Sequence, residues 1–305
     1  MRVLFSILLL LLAGSLSAQQ LPFLALQRAN WNVLNPAALT DSYELEESLY
    51  SINASYRKQW LNLDDAPETF LINSQFMLED YNILTGGHII HDRTGQLSYT
   101  GLYGNFAYQL AFDSRSEQLL IIGLNVGLLQ FRANWADIAF DQVEQVDLAN
   151  EQIMRMDVGL GAYYYHRDQF FIGVSVPQSL GVDGRFQSNP STFNLRRIPH
   201  AYLIMGAYID TDLMGKLAPS LWLKYVNGAP FSFDLNVRSY LSKYFWLGLG
   251  GGLSQSIRSE IGFSLAENVG LYEGKLQFGL SVGIPLAAYR NALGNSIELT
   301  TIYNW

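Results

Sequence analysis

The side chains able to do bond chemistry are few and poorly spaced for it. The chain has four histidines, His88, His91, His166 and His200, and no cysteine. A zinc-type site needs converging Cys, His or carboxylate ligands. In a strand, His88 and His91 point to opposite faces, and no thiolate can complete a set. A hydrolase needs a Ser or Thr nucleophile, a His base and a group that orients the base. His200 follows Pro199 at the start of a strand pattern, with nothing in the local sequence to pair it. The residues therefore imply no enzyme, no metal and no cofactor.

Two other stretches invite a chemical reading. The glycines of "WLGLGGG" at 246–252 resemble a phosphate loop in composition only. Such a loop must open a helix, whereas Gly248, Gly250 and Gly252 alternate with Leu247, Leu249 and Leu253, as in a strand bent or closely approached by a plug. Between Asn134 and Glu151 stand Asp137, Asp141, Glu144 and Asp147 with no basic residue. Carboxylates suit calcium, but the one-apart spacing of a calcium loop is missing. The stretch reads as a solvated outer loop, a place where partner contacts concentrate.

Composition points to the elements that carry these residues. Charged residues are 15% and hydrophobic residues 49% of the chain, against roughly 25% charged in an average globular protein. Eighteen Tyr, 17 Phe, 6 Trp and 26 Gly favour aromatic-rich strands. A net charge of -8 makes nucleic acid an unsuitable partner. The first 18 residues carry one Arg, an apolar run from Val3 to Leu12 and a small-residue end at Ser17-Ala18, the pattern of a signal peptide. After Leu12 no apolar run approaches the roughly 20 residues of a helical span. The choice lies between a secreted β-protein and a transmembrane β-barrel.

Alternation favours the barrel. Leu276, Phe278, Leu280, Val282 and Ile284 share one face, and Lys275, Gln277, Gly279, Ser281 and Gly283 the other. No helical period fits such a run. The same split marks fourteen strands, near 48–60, 69–79, 83–91, 101–113, 117–132, 152–166, 169–177, 197–210, 217–227, 231–242, 244–254, 259–267, 275–285 and 296–305. An even count suits an outer-membrane barrel, with short periplasmic turns and longer outer loops. Long connections after odd-numbered strands, such as 133–151 and 178–196, fit that parity.

In "NASYRKQW" at 53–60, Arg57 and Gln59 fall on the polar face, while Lys58 and Trp60 share the face of Tyr56. Arg57 therefore points to the lumen. Lys58 carries its ammonium outward on a long stem beside Trp60 in an aromatic girdle. Tyr303 and Trp305 are anchors at the other edge. Arg155, Asp157, Asp234, Arg238 and Glu260 also fall on polar faces. Two readings stay open for these charges: mutual pairing that braces the barrel or a plug, and a lined conduit or socket for a partner segment.

An ordered series of motifs resembles the PorP/SprF outer-membrane proteins of the type IX secretion and gliding machinery of Bacteroidetes. "NPAALT" (Asn35, Pro36 and Ala37 onward), "YRKQW" followed by "DDAPETF", "FFIGVSVPQ" at 170–178, "APSLWLKYVNGAP" at 218–230, "FWLGLG" at 245–250 and "GNSIELTTIYNW" at the end occur in family order. Lys58 and the run Asn295-Ser296-Ile297-Glu298 depart from the family pattern, so no role carries over to them. The resemblance implies a non-enzymatic barrel in outer-membrane lipid. It also implies a secreted cargo with a C-terminal sorting domain, and a periplasmic ring lipoprotein with partner subunits. An Asn-Pro-Ala near the start is also similar to FadL-like 14-stranded barrels, whose N-terminal segment plugs the lumen. A FadL-like carrier of hydrophobic small molecules and a purely structural barrel remain alternatives. The organisation expected is a signal peptide at 1–18, a periplasmic or plug segment at 19–47 and a barrel at 48–305.

Overall fold

The computed structural model describes residues 24–113, 117–134, 151–188, 191–252, 256–286 and 290–305. The expected signal peptide and the acidic positions Asp137, Asp141, Glu144 and Asp147 lie outside the described residues. The alternating runs form β1 (Tyr50–Lys58), β2 (Glu68–Leu78), β3 (Ile83–Thr94), β4 (Leu97–Ala111), β5 (Gln118–Ala133), β6 (Glu151–His166) and β7 (Phe170–Val176). A hairpin of β8 (Val182–Ser188) and β9 (Ser191–Arg197) follows, laddered only to itself. The wall resumes with β10 (His200–Ala207) and its short continuation β11 (Ile209–Thr211), then β12 (Gly215–Val226) and β13 (Ser232–Ser242). It is completed by β14 (Phe245–Gly252), β15 (Ser256–Leu265), β16 (Lys275–Pro285) and β17 (Ser296–Asn304).

Each wall strand pairs antiparallel with its neighbours. The sheet closes at two junctions: β1 on β17, from Ser51↔Asn304 to Lys58↔Ile297, and β10 on β12, from His200↔Val226 to Gly206↔Ser220. Because β10 and β11 share one position against β12, the result is a closed 14-stranded antiparallel barrel. Reciprocal backbone hydrogen bonds between Tyr50 and Trp305, at 3.0 and 3.1 Å, finish the seam. All fourteen expected strands are present. The third and fourth are longer than their alternation suggests, because the 92–100 region is strand on both sides of a two-residue turn at Gly95-Gln96. That connection is short although it lies at the outer end, so loop-length parity fails there.

The outward face is apolar on strand after strand. On β5, Ile122, Leu124, Val126 and Leu128 are exposed while Ile121 and Leu129 are buried inside. On β13, Phe233, Leu235 and Val237 are exposed, and Asp234, Asn236 and Arg238 are buried. An apolar belt of this extent is a membrane surface. No helix among the described residues is long and apolar enough to cross a membrane. Spanning takes about 9–11 residues per tilted strand, so β5 and β6, at 16 residues each, rise past the rim that β7 sets with seven.

Residues from Leu24 to Glu46 run down the lumen through a 3-10 turn at Gln27–Asn30 and helical segments at Trp31–Leu34 and Asp41–Glu46. The protein's core is the seam between this plug and the wall. Trp31, Leu34 and Leu39 pack with Tyr163, Phe171 and Trp222 of β6, β7 and β12. Leu24 and Val33 pack with Leu71, Ile90, Tyr103 and Leu129 of β2 to β5. Leu124→Arg, outward and mid-wall on β5, is expected to cost about 2–4 kcal/mol in a bilayer, read by denaturant titration of the reconstituted protein. A cost under about 1 kcal/mol would put that face outside the hydrocarbon.

Candidate functional site

The plug is held by side chains at three levels of the lumen. At mid-depth, Asn35 Nδ2 donates to the wall carbonyls of Ala162 and Val174 at 3.1 and 3.3 Å, and Asn35 Oδ1 accepts from Ala37 N at 3.0 Å. An amide is required here, since only Asn or Gln offers a donor and an acceptor on one short planar group. Gly161 makes the approach possible: a Cβ there would sit 2.0 Å from Asn35 Oδ1. The Asn-Pro-Ala motif is thus a clasp between plug and wall.

Toward the periplasmic side lies a chain of charges. Arg28 Nε donates to Asp41 Oδ1 at 2.8 Å, Arg238 Nη1 reaches Asp41 Oδ2 at 3.0 Å, and Arg238 Nη2 pairs with Glu260 at 2.9 Å. The Arg238 guanidinium also stacks 4.1 Å from the Trp246 ring centroid. Burial acts to raise the Asp41 pKa, but the guanidiniums of Arg28 and Arg238 outweigh it and hold the carboxyl below its usual range. Three residues on, burial pushes Glu44 up to about 8 against the pull of Arg28. The hydroxyls of Tyr163 and Tyr208 hydrogen-bond to the Glu44 oxygens.

The outer half holds the first plug residues. Glu298 accepts the backbone amides of Ala25 and Leu26, the latter at 2.9 Å, and Arg57 Nη1 stands 3.9 Å from it. Asp234 accepts from Arg258 and, at 3.2 Å, from Gln27 Nε2. Above them opens a cavity of about 360 Å³ whose lining includes Arg57, Gln59, Trp60, Lys224 and Arg258. At the periplasmic rim a second, shallower hollow of about 410 Å³ is bordered by Glu46, Glu47, Glu267, Tyr272, Glu273 and Trp305.

Arg57, Asp157, Asp234, Arg238 and Glu260 are buried inside the wall. Asp157 Oδ1 accepts Val158 N and Leu180 N and folds residues 177–180 back toward the lumen. Arg155 has the inward parity but is exposed, because β6 has risen past β7 at that height, and it donates to the Met154 carbonyl at 2.8 Å. Lys58 is outward, with its charge met by Glu68 at 2.9 Å on β2. Trp60 leaves the alternation: its backbone is left-handed, at φ 52°, and it lines the outer cavity instead of continuing the outward face. Tyr303 and Trp305 stack at 5.2 Å and extend to Tyr50 and Phe76 at the periplasmic edge. Gly248 and Gly250 face the side chains of Glu260 and Arg258, so these glycines make room for wall charges rather than for the plug.

Sequence reasoning missed Arg28, Asp41 and Glu44 in the plug, and Arg258 and Glu298 in the wall. The wall pair was marked only by parity with Glu260 and by standing between Ile297 and Leu299. The lumen is also less polar than its strands suggest, since Tyr163, Tyr165, Phe171, Tyr202 and Trp222 all face inward. No three His, Cys, Asp or Glu converge as a metal site among the described residues. What the arrangement does is hold a plug and leave a hollow at each end of the lumen. Arg238→Ala strands Asp41 and Glu260 together and is expected to cost about 3–5 kcal/mol, seen as a lower thermal midpoint in detergent. An unchanged midpoint would mean that the charges do not brace the plug.

The family model described as "Type IX secretion system membrane protein PorP/SprF" matches residues 16–303. No curated protein matches the chain. Among solved structures, a monoaromatic hydrocarbon channel, CymD, is similar at TM-score 0.55 and 11% identity, over 90% of this chain and 92% of that one. A Pseudomonas aeruginosa FadL homologue gives 0.47 and 7%, over 84% and 89%. The Acinetobacter baumannii outer membrane protein Omp33 gives 0.46 and 7%, over 85% and 98%. At 11% identity the likeness to CymD is one of fold. The closed barrel with its lipid-facing belt lies in the outer membrane, and the chain belongs to the PorP/SprF family of type IX secretion system membrane proteins.

Proposed function

We propose that this barrel holds a secreted cargo protein by its C-terminal sorting domain and supports its export and attachment at the cell surface, without bond chemistry of its own. The observation that carries this reading is the filled lumen. A barrel whose interior is clasped at Asn35, ion-paired at Asp41 and capped at Glu298 offers surfaces for binding and no passage for a folded chain. Outer loops, with Asp137, Asp141, Glu144 and Asp147 among their residues, and the outer cavity are the cargo side.

The opposite rim suits the machinery. Glu46, Glu47, Glu267 and Glu273 surround the shallow hollow, beside a Tyr272 that is 84% exposed. Glu46, Glu47 and Glu267 are paired with Lys275, Arg167 and Lys243, so a periplasmic ring lipoprotein or its partner subunit would meet a rim of mixed charge here. A carrier of hydrophobic small molecules is disfavoured, because the plug covers the aromatic side of the lumen and the remaining outer cavity contains Arg57, Lys224, Asp234, Arg258 and Glu298.

A tagged protein purified in mild detergent is expected to bring down a secreted surface protein together with ring subunits. Deleting the gene is expected to leave that cargo off the cell surface. Recovery of neither partner, with secretion intact in the deletion strain, would reduce the protein to a structural barrel.

A further inference from the structure

We propose that the outer cavity receives the free carboxylate end of an extended peptide. This assignment rests on the cargo-holding reading and names the chemistry of its contact. The cavity is a cup: Ala25 of the plug forms its floor, and the outer ends of β1, β12, β13, β15, β16 and β17 form its wall. A volume of about 360 Å³ falls within the range of small-ligand pockets. A blind cup takes a chain end and not a chain passing through.

Charge selects which end. The lining holds three cations, Arg57, Lys224 and Arg258, and two carboxylates, Asp234 and Glu298. Arg258 is ion-paired with Asp234 and Arg57 stands 3.9 Å from Glu298, so the surplus positive charge of the lining is that of Lys224. The balance is positive, so a carboxylate is favoured over an ammonium. Ser281 adds a neutral donor: it is 1% exposed, lines the cup, and its Oγ has no hydrogen-bond partner among the described residues. A buried hydroxyl left in that state gains from a ligand oxygen. The indoles of Trp60 and Trp222 line the same space and give flat, amphipathic contact for the residues behind the carboxylate. Lys224 Nζ lies 5.9 Å from the Trp222 ring, which places cation and platform together.

The test uses the full mature protein in nanodiscs with three probes: N-acetyl-trialanine with a free carboxylate, its C-terminal amide, and glucuronate. Calorimetric titration is expected to show the free acid binding at least about tenfold more tightly than the amide, with affinity falling as salt rises. Lys224→Gln and Ser281→Ala should each weaken the acid and leave the amide unchanged, at an unaltered thermal midpoint. Equal binding of acid and amide, no binding of either, or no effect of both variants overturns the proposal. Glucuronate binding as tightly as the peptide reassigns the cup to acidic sugars and overturns it equally. Peptide binding only in a chain shortened to begin at Leu24 assigns the cup to the protein's own N-terminus. A failed titration beside a cargo-positive pull-down removes the cup's role and keeps the cargo reading; failure of both removes both.

Discussion

Hydrocarbon offers no partner to a backbone N–H or C=O, so every strand in the membrane must find one on each side. Closure of β1 on β17 and of β10 on β12 is the consequence. Closure in turn creates the lumen. Eight strands leave an interior that side chains alone can fill, and fourteen leave a wider one. Here that interior is occupied by the chain from Leu24 to Glu46, and the buried core of the protein lies between plug and wall.

A plug inside a barrel has to satisfy its own polar groups, and it does so unevenly around the circumference. Against β6, β7 and β12 it presents Trp31 and Leu34 to aromatic side chains. Against β13 and β17 it presents Gln27, Asp41 and the amides of Ala25 and Leu26 to Asp234, Arg238 and Glu298. Buried ion pairs give little net stability against a well-packed apolar alternative, but breaking one is costly. That asymmetry suits a register device: Arg238 meets Asp41 only when the plug sits at one depth and one rotation.

Parity explains why so much of the wall was legible in the sequence. A period of two is fixed by the pleat, and the membrane enforces it on every strand because one face must be apolar. Arg57 and Lys58 show how far this carries: adjacent in sequence, one is buried beside Glu298 and the other is outward beside Glu68. The pattern stops where the pleat stops. Trp60 lies past the end of β1 with a left-handed backbone, so alternation has no hold on it. Arg155 keeps the right parity, yet its burial depends on the height of β7, which its own strand does not encode.

The site was less legible than the wall for a related reason. Asp41 and Arg238 are 197 residues apart and meet only because the plug descends inside the barrel. No local spacing encodes such a meeting, and the plug's helical segments are too short to show a period. The Asn-Pro-Ala motif stood out by its resemblance to a family motif, but its clasp depends on Gly161, far along the chain on β6. The same geometry gives the protein two unlike ends. The plug's first residues close the outer half beside Arg57 and Arg258, and its last turn meets the periplasmic rim where Lys275 pairs with Glu46. A single buried segment therefore borders both hollows, with Ala25 at the outer one and Glu46 at the periplasmic one.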